Sequence, residues 1–289
     1  MLYRTHHATT YLYGEPVSLC HNEVRLTPRA AAGQVVLEHT LSIQPQPETV
    51  TTRTDYFGNT VNFFCVDEPH TRLQIVAESL VEVIPRTAPE LKCTPPWERV
   101  LPQLRSDLSV YQFVFESQFI RTNDDFRAYA MPSFSAERPI FDAAFELCQR
   151  IHADFRYEPD TTRIDTAVET SLKSRRGVCQ DFAQVMIACL RSLGLAARYV
   201  SGYIRSGKDR VGAEASHAWV SVFIPGWDWV DMDPTNNRLG GMGEHVTLAW
   251  GRDFTDVSPM TGVMVGGGEH LVNVGVGVVP VSPALDQRH

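Results

Sequence analysis

No stretch of about 20 consecutive apolar residues occurs in this sequence, so a helical membrane span is not expected. Closely paired cysteines are missing too. Cys20, Cys65, Cys93, Cys148, Cys179 and Cys189 are scattered over 289 residues with no C-x-x-C among them. Disulfide frameworks belong to short secreted chains, and structural zinc needs closely spaced ligand pairs, so neither fits. A basic block is also absent. The 26 Lys+Arg stand against 34 Asp+Glu, a net charge of −8, and nucleic acid is excluded as a partner because phosphate binding needs clustered cations. Met1 to Pro16 lacks the basic, then apolar, then small-residue layout of a signal peptide. These absences together set the expectation of a soluble, cytoplasmic protein with free thiols and no membrane partner.

What is present is ordinary globular material. Hydrophobic residues at 43% and charged residues at 21% exclude disorder, and the length admits two domains. Residues 1–85 read as all-β: Tyr3–Tyr13, Val24–Thr27, Val35–Ile43, Thr49–Tyr56, Val61–Val66 and Leu73–Val83 are strand-like, with Gly58-Asn59 as a hairpin turn. The expectation is a β-sandwich-like domain whose histidines lie at the surface or in turns. Prolines 85, 89, 95, 96 and 102 give residues 86–135 the composition of a linker and connecting segment. A helix is predicted after Pro139, with Ile140, Ala143, Ala144, Leu147, Cys148 and Ile151 on its apolar face. A second, apolar nearly all round and therefore buried, runs from Cys179 to Leu193 with Gly194 as its stop. Strands follow at Ala197–Tyr203, Ser216–Ile224, Trp227–Met232, Val246–Trp250 and Leu271–Val281. The fold class is α+β, with a catalytic core over 136–281 and a tail over 282–289.

Among the cysteines, Cys179 is singular. It opens the buried helix, where unpaired backbone N–H groups and the positive end of the helix dipole favour thiolate. The segment Ser216 to Ile224 alternates, placing His217, Trp219, Ser221 and Phe223 on one face. A hairpin centred on Pro225 puts Asp233 directly across from His217, close enough for an imidazole–carboxylate hydrogen bond. Asp231 is a rival on the same face. A carboxylate there fixes the imidazole tautomer, and the imidazolium holds the thiolate.

Gly177-Val178-Cys179-Gln180-Asp181-Phe182-Ala183, Ala197-Arg198-Tyr199-Val200-Ser201-Gly202-Tyr203, Ser216-His217-Ala218-Trp219-Val220 and Asp233-Pro234-Thr235-Asn236 resemble the core of the bacterial transglutaminase-like superfamily. Gly251 to Pro259 resembles the tail of the same subgroup, and the first ~85 residues its β-rich N-terminal domain. The resemblance implies a papain-like thiol fold with Cys179, His217 and Asp233 as triad, and it selects Asp233 over Asp231. Asp181, Arg198, Tyr203, Arg252 and Trp219 are the candidates for contacts around the triad. No second cysteine pair or further histidine stands in a zinc-ligand motif and no D-x-D-x-D-G-type calcium loop occurs, so no metal and no cofactor is expected. The expected substrate is a peptide or protein amide, hydrolysed through a thioester on Cys179. Transfer of the acyl group to an amine, as in a transglutaminase, is one alternative, and a non-catalytic scaffold retaining the fold is another.

Overall fold

A computed structural model describes residues 1–159, 161–205, 207, 211–212 and 215–281; the expected C-terminal tail lies outside the described residues. One long strand, β1 (Leu2–Val24), carries the first expected strand on from Tyr13 to Val24 and organises the first half, while Arg25 to Thr27 of the second expected strand lie outside any strand. Strands β2 (Gln34–Gln44), β3 (Val50–Thr54), β4 (Thr60–Val66) and β5 (His70–Val83) arrange around it in the order β2-β5-β1-β4-β3. The first half of β1 pairs with β5 and the second with β4, and the register shifts between Leu12 and Val17. This change of partner curls the sheet, so the sandwich-like interior is enclosed by one bent sheet. Tyr3, Val17, Phe64, Ile75 and Val81 fill it. The β3–β4 hairpin turns at Gly58, whose φ of 77° needs a glycine.

The helical layer follows. Helices α1 (Trp97–Leu104), α2 (Leu108–Tyr111) and α3 (Asp124–Ala130) correct the expectation of a linker over 86–135. Trp97, Val100, Leu104, Phe126 and Ala130 are buried in the larger of two apolar cores, where burial outweighs a proline-rich composition. Next come α4 (Ile140–Asp154), β6 (Arg156–Tyr157), α5 (Val168–Ser174), β7 (Arg176–Gly177) and the central helix α6 (Cys179–Ser192). The helix ends in a Schellman cap: Gly194 has φ 79°, its N–H donates to the Arg191 carbonyl, and that of Leu195 donates to Leu190. Buried Arg191 ties this end down, donating to the carbonyls of Phe113, Ala197 and Arg252.

A second sheet covers α6. Strands β8 (Ala197–Ile204), β9 (His217–Ile224), β10 (Asp228–Asp233), β11 (Arg238–Leu239) and β12 (His245–Gly251) lie in the order β11-β10-β9-β8-β12. Ala218, Val220, Val222 and Met232 face the helical core, while Tyr203, Val246 and Leu248 join the core of the first sheet. After α7 (Phe254–Val257), the chain crosses back. Strands β13 (Met260–Gly266) and β14 (His270–Pro280) pair antiparallel with β1. The last strands, expected within the core over 136–281, therefore belong to the first sheet. Their partner lies some 250 residues earlier and leaves no local trace in the sequence.

Candidate active site

Cys179 begins α6, and the start of that helix is unusually well fixed. The Asp181 carboxylate accepts from the Val178 amide at 2.8 Å, from Thr162 Oγ1 at 2.7 Å and from Ser171 Oγ at 2.9 Å. Gly177 leaves room for it: at φ 153°, a Cβ there would lie 2.4 Å from Asp181 Oδ2. Asp181 thus fixes the helix start. The Cys179 amide has no acceptor among the described residues. The residue is 8% exposed, and its Sγ sits 4.0 Å from the Ser216 carbonyl oxygen.

Ser216 leads into β9, whose first residue is His217. The imidazole is fully buried, with Nε2 at 2.8 Å from Asp233 Oδ2. The hairpin register differs from expectation. Ile224 pairs with Asp228 and Val220 with Met232, so the turn is centred on Gly226, which has φ 84°. Asp233 therefore lies diagonal to His217 instead of directly opposite. The slip is two residues, which preserves the face of every side chain, and the two side chains still meet. Asp231, opposite Ser221, accepts a hydrogen bond from that hydroxyl and takes no part at His217.

Asp233 is the hub. Its Oδ1 accepts from the amides of Thr235 at 3.0 Å and Asn236 at 3.1 Å. Its Oδ2 accepts from His217, from Asn236 Nδ2 at 3.0 Å and from His245 Nε2 at 3.2 Å. His152 of α4 braces the turn through the Thr235 carbonyl at 2.9 Å. Burial alone would raise the Asp233 pKa, yet His217 and His245 override it and hold the carboxyl well below its usual range. For His217, burial acts to lower the pKa, and Asp233 with Cys179 overrides this, pushing it up to about 10. Cys179 thus acts on the imidazole electrostatically, although His217 Nδ1 has no partner within hydrogen-bond geometry.

Three neighbours escaped the reading of the sequence. His245 reaches Asp233 from β12, and its own Nδ1 has no partner. Asn236 clasps the Val211 backbone, accepting from its N–H at 3.0 Å and donating to its carbonyl at 3.3 Å. Gly212, with φ 80°, lies against the imidazole: a Cβ there would come within 2.9 Å of Nδ1. Trp219 is fully buried beside both histidines, its ring centroid 6.1 Å from that of His217 and 4.9 Å from that of His245. Tyr157, on β6, feels the charge of Cys179; burial first, then Cys179 and Asp181, push its hydroxyl to about 12, so it stays protonated.

The other candidates lie elsewhere. Tyr203 points into the first sheet, where its hydroxyl meets His7 Nδ1 at 3.0 Å. His7 is itself buried, contrary to the surface role expected for it. Arg252 pairs with Asp256 at 2.9 Å and offers α6 only its backbone carbonyl. Arg198 stacks between Trp229 and Trp250, 4.3 and 3.8 Å from their ring centroids, and lines a cavity of ≈ 260 Å³ that includes neither Cys179 nor His217. Among the described residues, His217, Asp233 and His245 form one group with potential metal-ligand atoms within 4.8 Å of one another. Those atoms already serve one another as hydrogen-bond donors and acceptor, so the group fits a proton network better than a cation cage.

Residues 3–82 match the family described as the bacterial transglutaminase-like N-terminal region, and residues 127–234 match the transglutaminase-like superfamily. An uncharacterized protein of Mycobacterium tuberculosis is 38% identical, over 96% of this chain and 92% of its own length. One from Mycobacterium leprae is 31% identical over 92% and 94%. A protein-glutamine gamma-glutamyltransferase of Pseudomonas aeruginosa is 33% identical over 31% of this chain and 15% of its own. The crystal structure of a candidate cysteine protease from Cytophaga hutchinsonii superposes with a TM-score of 0.78 at 21% identity, covering 99% of this chain and 92% of that one, which shows a shared fold. With its curled N-terminal sheet and its helix-on-sheet core, this chain belongs to the transglutaminase-like superfamily, in the bacterial form that carries the N-terminal region.

Proposed function

We propose that this protein is a cysteine-dependent hydrolase, a peptidase or amidase, with Cys179, His217 and Asp233 as its triad and a reducing, cytoplasmic setting. One observation carries the reading. A buried imidazole has its Nε2 committed to a carboxylate, its buried Nδ1 has no partner, and Cys179 is near enough to help raise its pKa. Such an arrangement keeps the imidazole cationic at neutral pH, a proton donor beside the sulfur nucleophile.

The Cys179 thiolate attacks the amide carbonyl carbon, forming the C–S bond. The Cys179 amide, unpaired at the start of α6, donates to the oxyanion. His217 delivers its Nδ1 proton to the leaving amine as the C–N bond breaks. A water then attacks the thioester while His217 takes its proton, the C–S bond breaks, and the acid departs. The thiolate–imidazolium pair is thereby restored.

A second reading has support in the partial likeness to the gamma-glutamyltransferase: an amine in place of water receives the acyl group. The two separate in one assay, release of amine from a broad peptide and amide library with and without a primary amine at millimolar concentration. Hydrolysis without added amine, lost in Cys179→Ala, is the expected result. Acyl transfer faster than hydrolysis would replace peptidase by transglutaminase. Turnover of no substrate, with a partner bound equally by wild type and Cys179→Ala, would leave the scaffold.

A further inference from the structure

Attack on an amide builds negative charge on the carbonyl oxygen, and the Cys179 amide supplies one hydrogen bond to it. Sites of acyl transfer set further donors where that charge develops, and a second one is needed here. It must lie beside the start of α6, have no acceptor of its own and be open to a substrate. Most polar side chains around Cys179 fail one of these conditions. Gln180 donates to the Ile164 carbonyl at 3.1 Å, and Thr162 and Ser171 both donate to Asp181. Arg175 pairs with Asp154 at 3.0 Å and Arg176 with Glu158 at 3.4 Å. Asn236 donates to Asp233 and to the Val211 carbonyl. Trp219 Nε1 has no acceptor, but it is sealed in the interior, where no substrate reaches it.

Tyr157 meets all three. Strands β6 and β7 pair in parallel, with Tyr157 opposite Gly177 and the Glu158 amide donating to the Gly177 carbonyl at 2.9 Å. Paired strands lie about 4.8 Å apart, so this short ladder brings the Tyr157 backbone alongside the chain two residues before Cys179. The ring packs edge-on against Phe182, with centroids 6.3 Å apart. Phe182 lies three residues along α6 from Cys179, on the same face of the helix, so the tyrosine runs beside the face that carries the sulfur. Tyr157 is half-buried, its hydroxyl has no hydrogen-bond partner among the described residues, and the oxygen is open to solvent. Burial first, and then the charge of Cys179, push that hydroxyl to about 12, so the two groups are near enough to interact and the oxygen keeps a proton to donate.

We propose that Tyr157 is a further catalytic residue, whose hydroxyl joins the Cys179 amide as the second donor to the oxyanion. The assignment rests on the reading of Cys179 as nucleophile, and it serves equally whether water or an amine later takes the acyl group. As the Cys179 sulfur attacks, the C–S bond forms and the carbonyl π pair moves onto oxygen, which accepts from both donors. The pair returns as the bond to the leaving group breaks, and Tyr157 keeps its proton throughout. Packing against Phe182 holds the donor in place before the reaction begins, so no reorganisation is needed when the charge appears.

Two reagents separate this role from a structural one. p-Nitrophenyl acetate acylates a cysteine through a tetrahedral oxyanion and releases p-nitrophenolate as the C–O bond breaks. Iodoacetamide alkylates the sulfur by displacing iodide and forms no oxyanion. Both rates are read at Cys179 of the full chain, by the nitrophenolate burst and by peptide mapping, with Cys179→Ala as the blank. Tyr157→Phe deletes only the oxygen and keeps the ring against Phe182. It should slow acylation about 10- to 10²-fold, toward the lower end of what losing one oxyanion donor costs, and leave alkylation within about twofold of wild type. Tyr157→Phe that acylates as fast as wild type overturns the assignment. An equal loss in both reactions overturns it too, because it marks a structural role. Failure of the underlying reading has its own signature: a wild-type burst no larger than that of Cys179→Ala removes the nucleophile, and Tyr157 falls with it.

Discussion

Replacing Asp233 removes the acceptor on which the whole site converges. Five hydrogens point at this buried carboxylate, two from backbone amides, two from imidazoles and one from Asn236. Asp233→Ala leaves them facing a small cavity. A buried donor without an acceptor costs about 1–3 kcal/mol, and breaking a buried charged pair costs about 3–5 kcal/mol. Because neighbouring losses overlap, the lower part of their sum applies, about 3–5 kcal/mol against a total stability of roughly 5–15 kcal/mol. Asp233→Asn keeps the volume but cannot satisfy both sides. If its oxygen stays with the Thr235 and Asn236 amides, its NH2 must face two imidazole nitrogens, which then have to be acceptors. The His217 proton moves to Nδ1, and the charge opposite the imidazolium is gone. Burial, which acts to lower the His217 pKa, is then unopposed by Asp233, and the value should fall from about 10 to below its ordinary 6.5. NMR titration of the His217 ring reads this directly, and urea unfolding reads the stability. Turnover should drop on the order of 10–10³-fold, less than the ~10⁴ of a serine triad, because a thiol is more acidic. An unchanged His217 titration in Asp233→Asn, or an unchanged urea midpoint in Asp233→Ala, would refute the reasoning.

Other outcomes follow from the same geometry. The raised His217 pKa contributes stability that is fully present below about pH 6.5 and is lost as pH rises toward about 10. Urea-derived stability should therefore decline over that window in wild type, and the decline should be absent in His217→Ala. The depressed Asp233 pKa acts oppositely, its contribution being present above about pH 4 and lost as acid protonates the carboxylate. Gly177→Ala should destabilise by about 2 kcal/mol or more, measured by thermal denaturation, because its Cβ would strike Asp181 at a left-handed φ. Gly212→Ala should lower turnover at least tenfold and also lower the melting temperature, since φ 80° disfavours a side chain and the added methyl presses on the buried His217 Nδ1.

The triad is legible in the sequence because each member sits in a short local context: a cysteine opening an apolar helix, a histidine heading an alternating strand, an aspartate ending the next. The hairpin turns about Gly226 and not Pro225, but an even slip preserves faces, so His217 and Asp233 still meet. Tyr203 could have been excluded by the same parity, since its neighbour Gly202 is the residue opposite His217. In the Pro-rich segment, Trp97, Val100 and Leu104 carry helical spacing that the prolines obscure. His245 and β14 are beyond the reach of local patterns. His245 arrives from β12, which pairs with β8 and not with a sequence neighbour, and β14 returns to the first strand of the chain. Such contacts are made by topology, and no local periodicity encodes them.

The central claim, a thiolate on Cys179 maintained by His217, is tested most directly by the pH dependence of iodoacetamide labelling, with each cysteine resolved by peptide mapping. Cys148 and Cys189 are buried thiols whose pKa burial pushes upward, and they should not react in the native protein. Cys93 is exposed and serves as the accessible reference thiol. Cys179 should react at pH 6 at least tenfold faster than any other site, and His217→Ala should abolish that advantage while leaving the Cys93 rate untouched. Uniform labelling at pH 6, or a Cys179 rate indifferent to His217→Ala, would contradict the account.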